Sequence, residues 1–234
     1  MLAVDQSPVQ STLPAADATP DDALLPYRIY GDFLSREHHA ALLAWALDNQ
    51  SRFAPSAVGG VAKSVQPTVR QSLFLRDLGP LEAVLRQRIT EQLPQVFADF
   101  STRPFTLQGI ELELVAHNDG AFYRRHIDTV TTDRPGYGDR IFSGVYYFWR
   151  EPKGFSEGQL RLYRLGSGSR EDGHFPDIPP PQNGLVAFRS WWPHEVRPVR
   201  CPSGQFADSR FAVNCWVYRA RQAKDEPPAR RAEA

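Results

Sequence analysis

Two imidazoles and one carboxylate are placed in this chain so that a single metal ion can hold all three. His126 and Asp128 stand two residues apart in Tyr123-Arg124-Arg125-His126-Ile127-Asp128, and His194 follows in Trp192-Pro193-His194-Glu195-Val196. On an extended strand, residues i and i+2 point to one face. The first pair can therefore reach one ion while a second strand delivers His194. Three protein ligands on one side of an octahedron leave three positions open for exchangeable groups, which suits a reactive metal centre. A His-x-Asp pair arises easily by chance among six histidines, so the reading needs support from other residues.

Arg210 supplies that support. It begins Arg210-Phe211-Ala212-Val213-Asn214-Cys215-Trp216-Val217-Tyr218, a stretch that alternates as a strand does. Phe211, Val213, Cys215 and Val217 share one face; Arg210, Ala212, Asn214 and Trp216 share the other. An arginine on the inward face needs an anionic partner, because an unpaired charge is costly to bury. Its planar fork matches a carboxylate through two parallel hydrogen bonds, so Arg210 is suited to anchor a dicarboxylic small molecule. Arg197 and Arg200 compete for the role, and alternation favours Arg210.

From about Glu113 to Tyr218 the chain resembles the prolyl 4-hydroxylase-like branch of the Fe(II)/2-oxoglutarate-dependent dioxygenases. Four stretches carry the likeness in order: Asp119 to Asp128, Arg140 to Phe148, Pro193 to Val199, and Arg210 to Trp216. The resemblance implies that His126, Asp128 and His194 hold Fe(II) and that Arg210 holds the distal carboxylate of 2-oxoglutarate. It also implies that the hydroxyl of Tyr147 lies beside that carboxylate, while Tyr146 points to the opposite face by alternation. Three departures stand out. Glu157 replaces one of two glycines in Phe155-Ser156-Glu157-Gly158-Gln159-Leu160. His117 stands where relatives often have a tyrosine, and it is given no role. The loop Cys201 to Asp208 is longer than is usual.

The implied activity is hydroxylation of an unactivated C–H bond, coupled to conversion of 2-oxoglutarate and O2 to succinate and CO2. Ascorbate is the expected reductant for oxidised iron. A prolyl residue in a protein or peptide is the first substrate choice, and a free amino acid or natural-product intermediate is the alternative. Two other classes stay open on the residues alone. The same ligand set could hold Zn(II) in a hydrolase, which would leave Arg210 and Tyr147 without a role, or the domain could be a non-catalytic binding module on a β core.

Composition narrows the field further. The chain has 234 residues with 27 basic and 27 acidic side chains, so no net charge favours nucleic acid. No apolar run approaches the ~20 residues that span a bilayer. Cys201 and Cys215 form no paired framework, and a reducing cytoplasm is the expected setting. Residues 1–25, rich in Pro, Ala, Asp, Ser and Thr, read as a disordered leader and 222–234 as a flexible tail. Between them, 26–221 reads as one domain with its core at about 107–219.

The elements that must position these residues follow from periodicity. Ser35 is the expected N-cap of a helix through Glu37 to Leu47, with Leu42, Trp45 and Ala46 on one face. His38 and His39 read as surface residues of its first turn. A second helix is expected from Pro80 to about Phe100, striped by Leu81, Val84, Leu85, Ile89 and Leu93 and interrupted or kinked at Pro94. Strands are expected at 108–116, 122–128, 140–149, 159–165, 184–189, 194–199 and 210–219. The pattern gives a mostly β fold with flanking helices, and the resemblance makes its core a double-stranded β-helix, a jelly roll of the cupin kind. Loops at 55–67 and 166–181 are candidate lids. Asn214, Trp216, Trp191 and Trp192 are candidate pocket or substrate walls.

Overall fold

The computed structural model describes residues 25–57, 64–129, 138–165 and 173–221. The expected leader, except for its last residue, and the expected tail lie outside these, as do residues 58–63 and 166–172 of the two candidate lids. In chain order the elements are β1 (Tyr27–Tyr30), α1 (Arg36–Asp48), β2 (Ala54–Pro55), β3 (Arg70–Gln71), β4 (Leu73–Leu75) and α2 (Leu81–Asp99). There follow β5 (Leu107–His117), β6 (Phe122–His126), β7 (Asp139–Phe148), β8 (Ser156–Glu157), β9 (Leu160–Leu162), β10 (Gly184–Arg189), β11 (His194–Val196), β12 (Val199–Arg200) and β13 (Arg210–Arg219).

These strands form the expected jelly roll. A seven-stranded antiparallel sheet runs β1-β10-β7-β13-β5-β4-β2 and faces a four-stranded sheet β3-β6-β11-β9, with β8 and β12 paired beside them. Strand β13 lies between β5 and β7 and pairs with both along nearly its whole length. Its register sorts side chains into two sets. Phe211, Val213, Cys215 and Val217 join Ile110, Leu112, Leu114 and Ala116 of β5, and Phe142, Tyr146 and Phe148 of β7, in an apolar layer under the helices. On the opposite, inner face Arg210 pairs with His117, and Ala212 lies between Val115 and Tyr147. Asn214 lies between Glu113 and Val145, and Trp216 between Glu111 and Ser143.

The helices cover the outer layer. Helix α1 starts where the Ser35 hydroxyl accepts from the His38 N–H at 3.2 Å, satisfying one of the donors a helix N-terminus leaves free. It buries Leu42 and Ala46, while α2 buries Leu81, Leu85, Ile89, Leu93 and Val96. Full burial of each large aliphatic side chain contributes ~1.5–3 kcal/mol. Pro94 does not end α2, which continues to Asp99. Its missing N–H removes one internal bond, but Leu93 and Val96 on either side are seated in the core.

Several expected elements differ at their edges. The strand expected at 159–165 narrows to β9, and the one at 194–199 splits into β11 and β12. Strand β6 ends at His126, so Asp128 lies beyond the ladder; its N–H instead donates to the Ser190 carbonyl at 2.8 Å. His39 is a correction. It is half-buried, and its Nδ1 lies 2.7 Å from the Tyr146 hydroxyl, because the first turn of α1 packs against β7. Burial lowers its pKa from the usual imidazole value.

Candidate functional site

The antiparallel pairing of β11 with β6 places His194 opposite His126, and the turn after β6 brings Asp128 to both. His126 Nε2 is 3.5 Å from Asp128 Oδ1 and His194 Nε2 is 3.6 Å from Asp128 Oδ2. All three donor groups fall within 4.8 Å of one another. Each imidazole has its Nδ1 2.8 Å from a backbone carbonyl two residues earlier, that of Arg124 for His126 and that of Trp192 for His194. A carbonyl only accepts, so the ring proton sits on Nδ1 and the Nε2 lone pair faces the carboxylate. Two lone pairs and one anion thus converge with no proton between them, and the donor set fits a divalent cation.

The surroundings keep these groups in that state. Burial pushes the Asp128 carboxyl up, but the charge that the His194 and His126 rings carry when protonated, and the Ser143 hydroxyl in either state, outweigh it and hold the group well below the usual carboxylate range. Burial, with the nearby His126, pushes His194 down to about 4, against the opposing pull of Asp128. The Ser143 hydroxyl donates to Asp128 Oδ2 at 2.7 Å and lies 3.0 Å from the Ser190 hydroxyl. Arg140, which is paired with Glu111, also reaches the Asp128 carbonyl at 3.3 Å. Tyr123 stacks on the His126 ring with centroids 3.5 Å apart, and Phe188 meets His194 edge-on at 4.6 Å. Partners of this kind fix ring orientation and raise ligand affinity.

At the far end of the inner face, Arg210 is 1% exposed. Its guanidinium carbon lies 5.1 Å from the Tyr147 ring centroid. Its Nε and Nη1, and the Tyr147 hydroxyl, are buried without a hydrogen-bond partner. The two side chains feel each other's charge but do not form a hydrogen bond. Burial lowers the Arg210 pKa, which Tyr147 partly opposes, and burial raises that of Tyr147, which Arg210 partly opposes. No carboxylate pairs with Arg210 among the described residues. The competing arginines are placed otherwise: Arg197 is bound to Glu195 at 2.8 Å and Arg200 is exposed. Buried polar groups are normally satisfied, so this cluster fits a ligand carboxylate.

Gly158 closes the pocket from β8's side. A Cβ there would lie 2.6 Å from Val199 Cγ2 and 3.1 Å from Arg210 Cδ. Its neighbour Glu157 keeps the turn by adopting φ +63°, the left-handed region that glycine enters freely and other residues enter at a cost.

Of the expected wall residues, Trp216 stacks on Arg140 at 4.4 Å and Asn214 sits one row from Ala212 on the inner face. Trp192 is half-buried and donates to the Tyr163 carbonyl, while Trp191 is 44% exposed. Sequence reasoning missed Ser143, Ser190, Arg140, Tyr123 and the buried pair Arg70–Glu113, which meets at 2.8 Å. One signal was available: Glu111, Glu113 and His117 occupy one phase of β5 while the other phase is apolar. A cleft of about 630 Å³ lies elsewhere, between the start of α1, α2 and Asn183, and gathers no comparable ligand set.

Residues 112–218 match the sequence model of the 2OG-Fe(II) oxygenase superfamily. An uncharacterized PKHD-type hydroxylase of Synechocystis sp. is 37% identical over 194 residues, covering 80% of this chain and 62% of that relative. The chain thus spans less than two thirds of the relative's length. Among solved structures, a Pseudomonas putida prolyl-4-hydroxylase superposes with a TM-score of 0.60 at 23% identity, over 85% of this chain and 96% of the other. A Trichoplax adhaerens prolyl hydroxylase, solved with a hypoxia inducible factor peptide fragment, gives 0.56 at 20% identity over 83% and 84%. Sequence model, relative and fold thus agree, and over residues 112–218 the chain matches the 2OG-Fe(II) oxygenase superfamily.

Proposed function

We propose that this protein is an Fe(II)- and 2-oxoglutarate-dependent dioxygenase that hydroxylates an unactivated C–H bond, with a prolyl residue of a protein or peptide as substrate. The observation that carries the reading is Arg210, a fully buried guanidinium lacking any carboxylate partner among the described residues, on the seven-stranded sheet, while His126 and His194 of the ligand cluster stand on the four-stranded sheet. A zinc hydrolase would use the three ligands and leave that arginine, and the orphaned Tyr147 hydroxyl, unexplained. The prolyl assignment draws on the names of the relatives, which include a PKHD-type hydroxylase and two prolyl hydroxylases, one solved with a peptide.

In this reading His126 and His194 bind the ion through Nε2 and Asp128 binds through its carboxylate, which Ser143 holds in place. When bound, Fe(II) with 2-oxoglutarate supplies the oxidising chemistry: 2-oxoglutarate, O2 and R–H become succinate, CO2 and R–OH. Arg210 receives the distal carboxylate on one edge of its guanidinium, and the Tyr147 hydroxyl donates to the same group. The apolar cluster of Val115, Val186, Phe188 and Ala212, of which Tyr147 is part, keeps water from the pocket, so that the ion pair forms in a medium where it is strong. Ascorbate serves to restore the ferrous state.

The test is succinate formation from 2-oxoglutarate with Fe(II), ascorbate and air, with prolyl peptides and free proline offered separately. Expected are succinate and a peptide product heavier by one oxygen, both absent in His194→Ala. Turnover of free proline alone would move the substrate to the small-molecule class. Hydrolysis supported by Zn(II), with no succinate under any condition, would overturn the assignment.

A further inference from the structure

Six buried side-chain atoms among the described residues lack a hydrogen-bond partner, and five belong to Arg210, Tyr147 and His117. The first two have roles in the proposed reading. His117 has none, yet both its ring nitrogens are orphaned while the residue is 3% exposed. Leaving a buried polar group unbonded is unfavourable, and an apolar ring would fill the position without that penalty. Its place is specific: His117 ends β5, and its Cα is the direct partner of Arg210 across the ladder to β13.

Charge around the ring points the same way. Burial, then the positive charges of Arg210 and Arg70, push the His117 pKa well below the usual imidazole value, so the ring is neutral, with one N–H donor and one acceptor nitrogen. Arg70 is already paired with Glu113 at 2.8 Å. Arg210 is therefore the uncompensated cation beside His117, and the anion that satisfies one can satisfy the other. A carboxylate offers about four lone-pair sites on its two oxygens. Two parallel N–H groups on one edge of the Arg210 guanidinium fill two, leaving sites for further donors.

We propose that His117 is a third recognition residue of the cosubstrate pocket, its ring N–H donating to the same distal carboxylate that Arg210 binds. This rests on the assignment of 2-oxoglutarate to the Arg210 pocket and adds a residue that discriminates dicarboxylic from monocarboxylic 2-oxo acids.

The test is anaerobic titration of the Fe(II)-loaded protein with 2-oxoglutarate and, separately, with 2-oxopentanoate, which lacks the distal carboxylate. Binding is followed by the absorbance of the metal complex, for wild type, His117→Phe and His117→Gln. Expected is about tenfold weaker 2-oxoglutarate binding in His117→Phe, the size of one lost hydrogen bond to a charged group. Its 2-oxopentanoate affinity stays within about twofold. His117→Gln, which keeps an N–H donor, recovers most of the loss. The melting temperature of unloaded His117→Phe stays at or above that of wild type, because no bond is removed. Unchanged 2-oxoglutarate affinity in His117→Phe, equal losses for both acids, or a glutamine variant as weak as the phenylalanine one would each overturn the role of His117. A wild type that binds 2-oxopentanoate as tightly as 2-oxoglutarate, or binds neither, overturns the underlying pocket assignment instead.

Discussion

Arg210 and Asp128 are opposite solutions to burying a charge. Asp128 is surrounded by its partners, whereas Arg210 waits for one, and their responses to substitution should differ accordingly. Removal of one partner from a buried, hydrogen-bonded charge pair costs about 2–5 kcal/mol, so Arg210→Ala should weaken 2-oxoglutarate by tens to thousands of times while iron content per protein stays at the wild-type level. Loss of iron together with cosubstrate would place Arg210 in the fold rather than in the pocket. Acid should act through His194. Its folded pKa of about 4 lies below the imidazole reference of 6.5, so the unfolded chain takes up a proton first and stability falls as pH drops through that window. Linkage gives about 2 kcal/mol lost between pH 7 and pH 5 in the metal-free protein from this group, readable as a lower urea midpoint. His39 and His117, also depressed, add to it in the same direction. The clustering of His126, Asp128 and His194 and the inward burial of Arg210 were legible from residue type and spacing. Ser143, Arg140 and Tyr123 were not, because a serine or arginine on a strand signals nothing until another strand supplies the carboxylate or ring it touches.

Among the elements, length decided what could be read. Helices α1 and α2 and strands β5, β7, β10 and β13 run long enough for a period to show. The two- to four-residue strands β1, β2, β3, β4 and β8 owe their existence to a neighbour's free backbone groups, which no local pattern announces, whereas the equally short β9, β11 and β12 fall at or within longer expected stretches. Strand β6 ended before Asp128 for a related reason: its backbone N–H found Ser190 rather than the ladder. The turn at Glu157 offers a direct test of element-level strain. Since the residue holds φ +63°, Glu157→Gly should raise stability by about 1 kcal/mol, seen as a higher urea midpoint with iron binding unchanged. A lower midpoint would mean that the Glu157 side chain contributes more than its backbone costs.

For the molecule as a whole, the larger apolar layer and the Arg210 cluster occupy opposite faces of one sheet. The helices and the outer face of β5, β7 and β13 make up the larger apolar cluster, while the inner face sets Arg210, His117 and Glu113 among the smaller apolar cluster of Val115, Tyr147 and Ala212. Leu85→Ala, in that outer layer, should cost about 2–5 kcal/mol in thermal or urea unfolding, with 2-oxoglutarate affinity unchanged at temperatures where the variant is folded. A pocket that fails in step with stability would show that the two faces are not separable. The central position of β13 has one more consequence. Arg210, Tyr147 and His117 come from three adjacent strands, and side chains alternate faces with every residue. A slip of β13 by a single step would send Arg210 into the helix layer and Phe211 into the pocket, so a misfolded chain of this kind could not capture the small acid at all. On the proposed reading, 2-oxoglutarate would stabilise only the one register that can hold it.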